Sequence, residues 1–205
     1  MAELSRGWPW LVAIALVGAL PVTVALTDVH LSSAPASLVV STAAGALAVA
    51  VLAMQPLLAM LGPRIRWHRA LGLVALGLVL AHVGILLVTE TDDALFAMSP
   101  DGPTRARMAL LGTLALVAVV VLGVGRERLP LTAAGWRILH AYFATLVVVL
   151  GVGHAVLTDG AMDGVGTTVL LALGTVALVG IAAAQVATAR GRRDSLGADG
   201  LGGYP

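Results

Sequence analysis

The sequence predicts an all-α, polytopic membrane protein built as a six-helix bundle. Of its 205 residues, 59% are hydrophobic and only 11% are charged, and the mean hydropathy is +0.99. Soluble domains carry about 25% charged residues. Apolar runs of about 20 residues, the length that crosses a bilayer as a helix, recur along the whole chain. No polar stretch is long enough to fold alone, so we expect one transmembrane domain over residues 1–190.

Six apolar segments, separated by short polar connections, are predicted to span the membrane. In chain order they are Trp8–Leu26, Leu38–Leu61, Trp67–Val88, Met108–Val124, Ala134–Leu157 and Thr167–Ala189. The first is too long for the apolar part of a cleaved signal peptide, and five more follow it, so we expect it to remain as a span. The Gly-rich, polar residues 191–205 are expected to form a disordered cytoplasmic tail.

The distribution of arginine predicts the orientation of these spans. All 12 basic residues are arginine, and ten of them fall on the side of the membrane that carries both termini. The other two, Arg105 and Arg107, share the third connection with the acidic Glu90, Asp92 and Asp93. By the positive-inside rule, both termini are cytoplasmic, and we expect a location in a bacterial plasma membrane. Four tryptophans fall at the cytoplasmic interface, where indole is favoured: Trp8, Trp10, Trp67 and Trp136.

Four of the five histidines lie inside two of the spans with the same spacing. His68 and His82 are fourteen residues apart in the third span, and so are His140 and His154 in the fifth. Fourteen residues cover about 21 Å of helix axis and return to within about 40° of the same face. Both spans are predicted to run outward from the cytoplasm. His68 should therefore pair with His140 near the inner side, and His82 with His154 near the outer side. Antiparallel helices would also match the levels but would exchange the partners.

Two stacked imidazole pairs are the ligand set that two bis-histidine haems require. An intramembrane histidine is costly and indicates function, and a neutral imidazole is a haem axial ligand. The chain has no cysteine, which excludes disulfides, iron–sulfur clusters and covalently attached haem. We expect the haems between the third and fifth helices. Electrons should pass from the haem of the inner pair, His68 and His140, to the haem of the outer pair, His82 and His154. Four polar residues are expected to form hydrogen bonds between helices: Gln55, Tyr142, Thr145 and Gln185.

Arginines near the predicted cytoplasmic pair are candidates for binding the haem propionates, because guanidinium pairs with carboxylates through two hydrogen bonds. They are Arg64, Arg66, Arg69 and Arg137. Topology alone also explains arginines at this position. Glycines such as Gly72, Gly77 and Gly84 could leave room for a flat macrocycle, although glycine is common in membrane helices.

Six spans, with His68-Arg-Ala-Leu-Gly72 through His82 on the third and Trp136-Arg-Ile-Leu-His140 through His154 on the fifth, resemble the ferric reductase-like transmembrane domain. That superfamily includes ferric reductases, the membrane core of NADPH oxidases, the STEAP metalloreductases and the haem subunit of bacterial periplasmic methionine-sulfoxide reductase systems (MsrQ). The resemblance covers about residues 8–189. It implies two b-type haems and electron flow from a cytoplasmic flavin and nicotinamide to an acceptor outside.

The chain departs from the larger members because it ends about fifteen residues after the last span, and we expect no flavin or nucleotide site in it. The electron donor should then be a separate cytoplasmic flavin-dependent NAD(P)H reductase or a membrane quinol. The acceptor should be ferric iron, oxygen or an outer partner protein. Lipid is the other expected partner, and nucleic acid is not expected. The chain would thus be the membrane subunit of an oxidoreductase, without catalytic side chains of its own.

Two alternatives remain open at the level of sequence. A quinol-oxidising cytochrome b also carries two histidine pairs with this spacing, but on its second and fourth spans, and this chain lacks a PEWY-like quinol motif. A proton or metal transporter could use intramembrane histidines. The transporter hypothesis predicts acidic residues within the spans, and the sequence has none there.

Overall fold

A computed structural model describes residues 16, 19–20, 22–27, 31–60, 65–158 and 164–200. Six helices are complete within these ranges, and no strand occurs in them. They are α1 (Ala36–Met60), α2 (Ile65–Thr89), α3 (Thr91–Met98), α4 (Thr104–Val124), α5 (Ala133–Val156) and α6 (Gly164–Gly200). Five are long and apolar enough to cross a membrane, with mean hydropathy from 1.8 to 2.6, and this makes the chain an integral membrane protein.

These five helices correspond to the second to sixth predicted spans, and α3 is an addition. The first predicted span, Trp8–Leu26, lies largely outside the described residues; residues 16, 19–20 and 22–26 of it are helical. The six-span bundle therefore stays a prediction, whereas five spans are found. The backbone of α6 is helical as far as Gly200, so the boundary predicted at residue 190 is not a helix end. No side chain beyond Gly191 is described, and the disorder of the tail stays a prediction.

Local sequence signals account for several helix ends. The Thr132 hydroxyl accepts a hydrogen bond from the Gly135 N–H at 3.1 Å and caps the first turn of α5. Asp92 and Asp93 lie in the first turn of α3, where carboxylates interact favourably with the helix dipole. Gly102 ends the tight turn between α3 and α4. A Cβ atom there would collide with the carbonyl oxygens of Phe96 and Ala97.

The core is formed by small side chains of α1 against its neighbours. Ala46, Ala48, Ala50 and Ala53 on α1 are all at most 5% exposed. In the described chain α1 packs against α2 and α6, and α4 packs against α5. Alanine at such positions allows helix backbones to approach closely, which is the usual source of helix association in a bilayer. By contrast, α2 and α5 have no extensive backbone contact with each other. The two histidine-bearing helices are held by their neighbours with a gap between them.

Enlarging the small-residue core should destabilise the bundle. Ala177 is fully buried in a cluster with Ala53 and Val148, whereas the adjacent Val176 is 47% exposed. We expect Ala177→Leu to cost about 1–3 kcal/mol through overpacking. Val176→Leu should stay within about 0.5 kcal/mol. Thermal unfolding in detergent, followed by circular dichroism, measures both. Equal midpoints for the two variants would contradict this packing.

Candidate functional site

The histidine side chains of α2 and α5 meet across the gap at two levels. The ring centroids of His68 and His140 are 6.1 Å apart, with a 59° angle between the planes. Those of His82 and His154 are 6.4 Å apart, with a 62° angle. We call these the first pair and the second pair. The first pair joins the histidines nearer the N-terminal ends of α2 and α5, and the second pair joins those nearer the C-terminal ends. The helices α2 and α5 therefore run in the same direction.

Backbone carbonyls of the flanking helices contact the second pair. The Nδ1 atom of His82 lies 2.8 Å from the Ser41 carbonyl oxygen on α1, and that of His154 lies 3.0 Å from the Arg105 carbonyl oxygen on α4. A carbonyl oxygen can only accept a hydrogen bond, so each Nδ1 carries the proton and donates it. When such a ring is neutral, its Nε2 atom keeps a free lone pair. Both imidazoles are thus prepared to bind a metal through Nε2.

Ser41 and Gly45 form a close wall beside His82. Ser41 is fully buried, and its hydroxyl lies 2.9 Å from the His82 Nδ1 atom and donates to the His82 carbonyl oxygen at 3.1 Å. Gly45 is one helical turn further along α1. A Cβ atom on it would lie only 3.3 Å from the His82 Nδ1 atom. The absence of a side chain at Gly45 therefore lets the imidazole lie directly against the backbone of α1.

The first pair has a different environment at each histidine. The Nδ1 atom of His68 lies 3.2 Å from the Gln55 carbonyl oxygen. With its NH2 group turned towards α2, the Gln55 side chain donates to the His68 carbonyl oxygen at 2.9 Å and lies 2.7 Å from the same Nδ1 atom. Among the described residues, the His140 Nδ1 atom is buried and has no hydrogen-bond partner. Instead, the His140 ring stacks on Trp136, with centroids 4.9 Å apart and planes at 20°.

A cavity of about 690 Å³, including the space at its mouth, surrounds the first pair. Its polar side chains are those of Gln55, His68, Arg69 and His140, and the other lining residues are apolar. The chemistry of this lining suits a mostly apolar group that the two imidazoles would hold.

The ring separations fit one metal ion between each pair. A metal–imidazole nitrogen bond is about 2.0 Å. Imidazole atoms lie about 1.1 Å from the ring centroid, given ring bonds of about 1.33 Å. Two imidazoles on opposite sides of one metal would therefore have centroids about 6.2 Å apart, close to both observed separations. Among the described residues, no group of three or more His, Cys, Asp or Glu side chains is placed to hold a metal ion. Each candidate centre would thus have two protein ligands.

The predicted propionate-binding arginines are only partly described. Arg64 lies outside the described residues, and of Arg66 only the helical backbone is described. Arg69 lines the cavity of the first pair, and Arg137 is half-buried but does not line it. A Cβ atom on any of the three glycines expected to make room would meet nothing within 4 Å, and of the three only Gly72 lines the cavity.

Sequence reasoning missed the flanking residues that contact the histidines. Ser41 and Gln55 are fourteen residues apart on α1, the same spacing as the histidines of α2. That shared spacing was the available signal that the backbone carbonyls of Ser41 and Gln55 contact the two histidines of α2. Gln55 forms the expected contact between helices. The prediction for Thr145 was wrong, because its hydroxyl donates to the Ala141 carbonyl oxygen in the same helix. Nothing in the sequence marks the carbonyl of Arg105.

This architecture is an integral membrane protein with two intramembrane imidazole pairs at separate levels. The family model described as "Ferric reductase like transmembrane component" matches residues 36–152, which is more than half of the chain. The chain therefore belongs to this family, as the sequence motifs predicted. The matched segment contains His68, His82 and His140 and ends two residues before His154. Comparisons with curated proteins and with solved structures find no match.

Proposed function

We propose that the chain is a dihaem b-type cytochrome that carries electrons across a bacterial plasma membrane. His68 and His140 would hold one haem, and His82 and His154 the other. Family membership indicates a transmembrane electron-transfer component. The observation that carries the dihaem proposal is the pair of ring separations, 6.1 Å and 6.4 Å. Both are close to the distance expected for two imidazoles on one iron.

The tautomers of the second pair support the same assignment. Hydrogen bonds from His82 and His154 to backbone carbonyls hold Nδ1 protonated and direct the Nε2 lone pair away from α1 and α4. Such bonds orient ligating histidines and make the imidazole a stronger donor to the metal. The chain's own residues therefore supply both the ligand atoms and the groups that fix them.

Haem held by two imidazoles has no open coordination position, so it supplies one-electron transfer and not oxygen binding at the iron. The walls of the cavity around the first pair are mostly apolar. Arg69 at its edge is the described candidate for a propionate partner, and Arg64, Arg66 and Arg137 are proposed on sequence grounds alone. The two levels are about 21 Å apart along the helices, so together they extend across most of the hydrocarbon layer.

The direction of transfer and the partners are also proposals. With both termini in the cytoplasm, the first pair lies nearer the cytoplasm and the second nearer the outside. A separate flavin-dependent NAD(P)H reductase or a quinol would donate electrons. Ferric iron, oxygen or an outer protein would accept them. The chain would then be the membrane subunit of an oxidoreductase that another molecule completes.

Spectroscopy on single histidine variants tests the assignment. Protein purified after haem-replete expression should show a b-type reduced-minus-oxidised spectrum. The pyridine haemochrome assay should give close to two haems per chain. His68→Ala or His140→Ala should remove the haem of the first pair, and His82→Ala or His154→Ala that of the second, because one remaining imidazole binds far more weakly. Each variant should retain about one haem.

His30→Ala is the matched control, since it removes the fifth histidine and should keep both haems. Wild-type protein without a Soret band would overturn the proposal, and so would a His82→Ala variant that retains both haems. Metal analysis separates the transporter alternative, which predicts zinc, copper or no metal in place of two irons per chain.

Filling the space at Gly45 should disturb only the second pair. A valine there would push its methyl groups into the His82 ring, since even its Cβ atom would lie 3.3 Å from Nδ1. We expect Gly45→Val to lower the affinity of the second site for haem by about 10–100-fold, as loss of ligand orientation commonly does. Titration of haem into the apoprotein measures this change.

Gly84→Val is the control for helix propensity and bulk. Gly84 is two residues from His82 on α2, so it lies nearly on the opposite face, with open space around it. The control should retain both haems. If the two variants lose haem equally, the wall formed by α1 does not position His82.

A further inference from the structure

Of the four histidines that the structure describes, only His140, in the first pair, has no hydrogen-bond partner for its Nδ1 atom. His68, His82 and His154 each have Nδ1 within 3.2 Å of a backbone carbonyl oxygen on a flanking helix. Among the described residues, the buried Nδ1 atom of His140 has none. Something other than a carbonyl must therefore fix the orientation of this ring.

The register of α4 shows where a carbonyl partner would be expected. On α1, the carbonyls of Gln55 and Ser41 contact the histidines of α2 and are fourteen residues apart, as those histidines are. On α4, the Arg105 carbonyl contacts His154 at the start of the helix. Fourteen residues later α4 reaches Val119, which lines the cavity of the first pair. His140 makes no hydrogen bond there, and its ring lies against Trp136.

Trp136 is itself held at two points. Its Nε1–H donates to the Leu122 carbonyl oxygen, one of the last residues of α4, at 2.8 Å. The guanidinium carbon of Arg126, in the connection between α4 and α5, lies over the indole ring at 4.7 Å from its centroid. An indole with a fixed position and a nearly parallel imidazole 4.9 Å away restricts rotation of that imidazole about its Cβ–Cγ bond.

We propose that Trp136 is the positioning residue for His140, and that its stacked indole takes the place of the carbonyl oxygen that lies beside Nδ1 of the other three described histidines. This inference rests on the proposed function, because it treats His140 as a haem ligand. It assigns Trp136 a role beyond that of an anchor at the membrane interface. Arg126 and the Leu122 carbonyl support that role by fixing the indole.

Stacking and hydrogen bonding have different consequences for the ligand. A carbonyl partner on Nδ1 increases the basicity of an imidazole, whereas a stacked indole orients the ring without accepting its proton. The haem of the first pair should thus be sensitive to the aromatic face at position 136. It should be much less sensitive to the indole N–H. The haem of the second pair should be insensitive to both.

Two substitutions of Trp136 separate the stack from the hydrogen bond. Trp136→Leu removes the aromatic face, and we expect about a 10–100-fold loss of haem affinity at the first site, with a shifted low-spin ferric EPR signal and midpoint potential. Trp136→Phe keeps an aromatic face without the N–H, and its occupancy and EPR signal should stay close to wild type. The second haem serves as an internal control in every sample. Ile138→Ala is the external control, since Ile138 lies between Trp136 and His140 on α5 and is 67% exposed.

Each result decides between stacking and its alternatives. If Trp136→Leu keeps both EPR signals and both potentials, or if Trp136→Phe is as damaging as Trp136→Leu, the proposal is overturned. Arg126→Gln covers the case in which Trp136→Leu loses both haems through misfolding. It leaves the packed interior intact, and it should shift only the signal of the first haem. No shift in Arg126→Gln would then overturn the proposal. A wild-type protein without haem would instead refute the proposed function.

Discussion

The need to satisfy imidazole N–H groups inside an apolar layer shapes this structure. An unpaired polar group in hydrocarbon costs several kcal/mol, so each histidine of α2 and α5 requires a partner or a substitute for one. Backbone carbonyl oxygens of α1 contact the Nδ1 atoms of His68 and His82, and a carbonyl oxygen at the start of α4 contacts the Nδ1 atom of His154. The contacts to His68 and His82 lie between α1 and α2, which pack extensively against each other. The carbonyl contacts also determine which nitrogen of His82 and His154 remains available.

The gap between α2 and α5 is built by their neighbours. Because those two helices have no extensive backbone contact, α1, α4 and α6 must support the walls. Residues of the five membrane-spanning helices α1, α2, α4, α5 and α6 line the cavity at the first pair, and most of them are aliphatic. A rigid frame of small-residue contacts with a compliant aliphatic lining is well suited to hold a large planar group in a fixed orientation. The side chains that touch such a group need not be the ones that stabilise the bundle.

Much of the arrangement could be predicted from the sequence. In a regular helix, the spacing between two residues determines how far apart they lie across the membrane and whether they share a face. The fourteen-residue spacing placed each histidine pair on one face, and the arginine distribution indicated parallel directions for α2 and α5, which the ring contacts show. The carbonyl partners could not be predicted, because every residue has a backbone carbonyl and a hydrogen bond to it does not depend on the residue type. The helix α3 was not predicted, because its residues were assigned to a polar connection between two spans. Trp136 was assigned to the interface because tryptophan there needs no other explanation, and its stacking partner lies one turn further along the same helix.

The shared spacing of α1, α2 and α5 makes their lengths interdependent. Ser41 and Gln55 match His82 and His68, and those match His154 and His140, so three helices are aligned at the same two levels. One inserted residue between the levels of any of these helices would rotate everything beyond it by about 100° and shift it by about 1.5 Å. A helix that serves only for packing can absorb such a change by exchanging one apolar contact for another. Here the insertion would separate one level from its partners while leaving the other intact, so these three segments can vary in composition far more readily than in length.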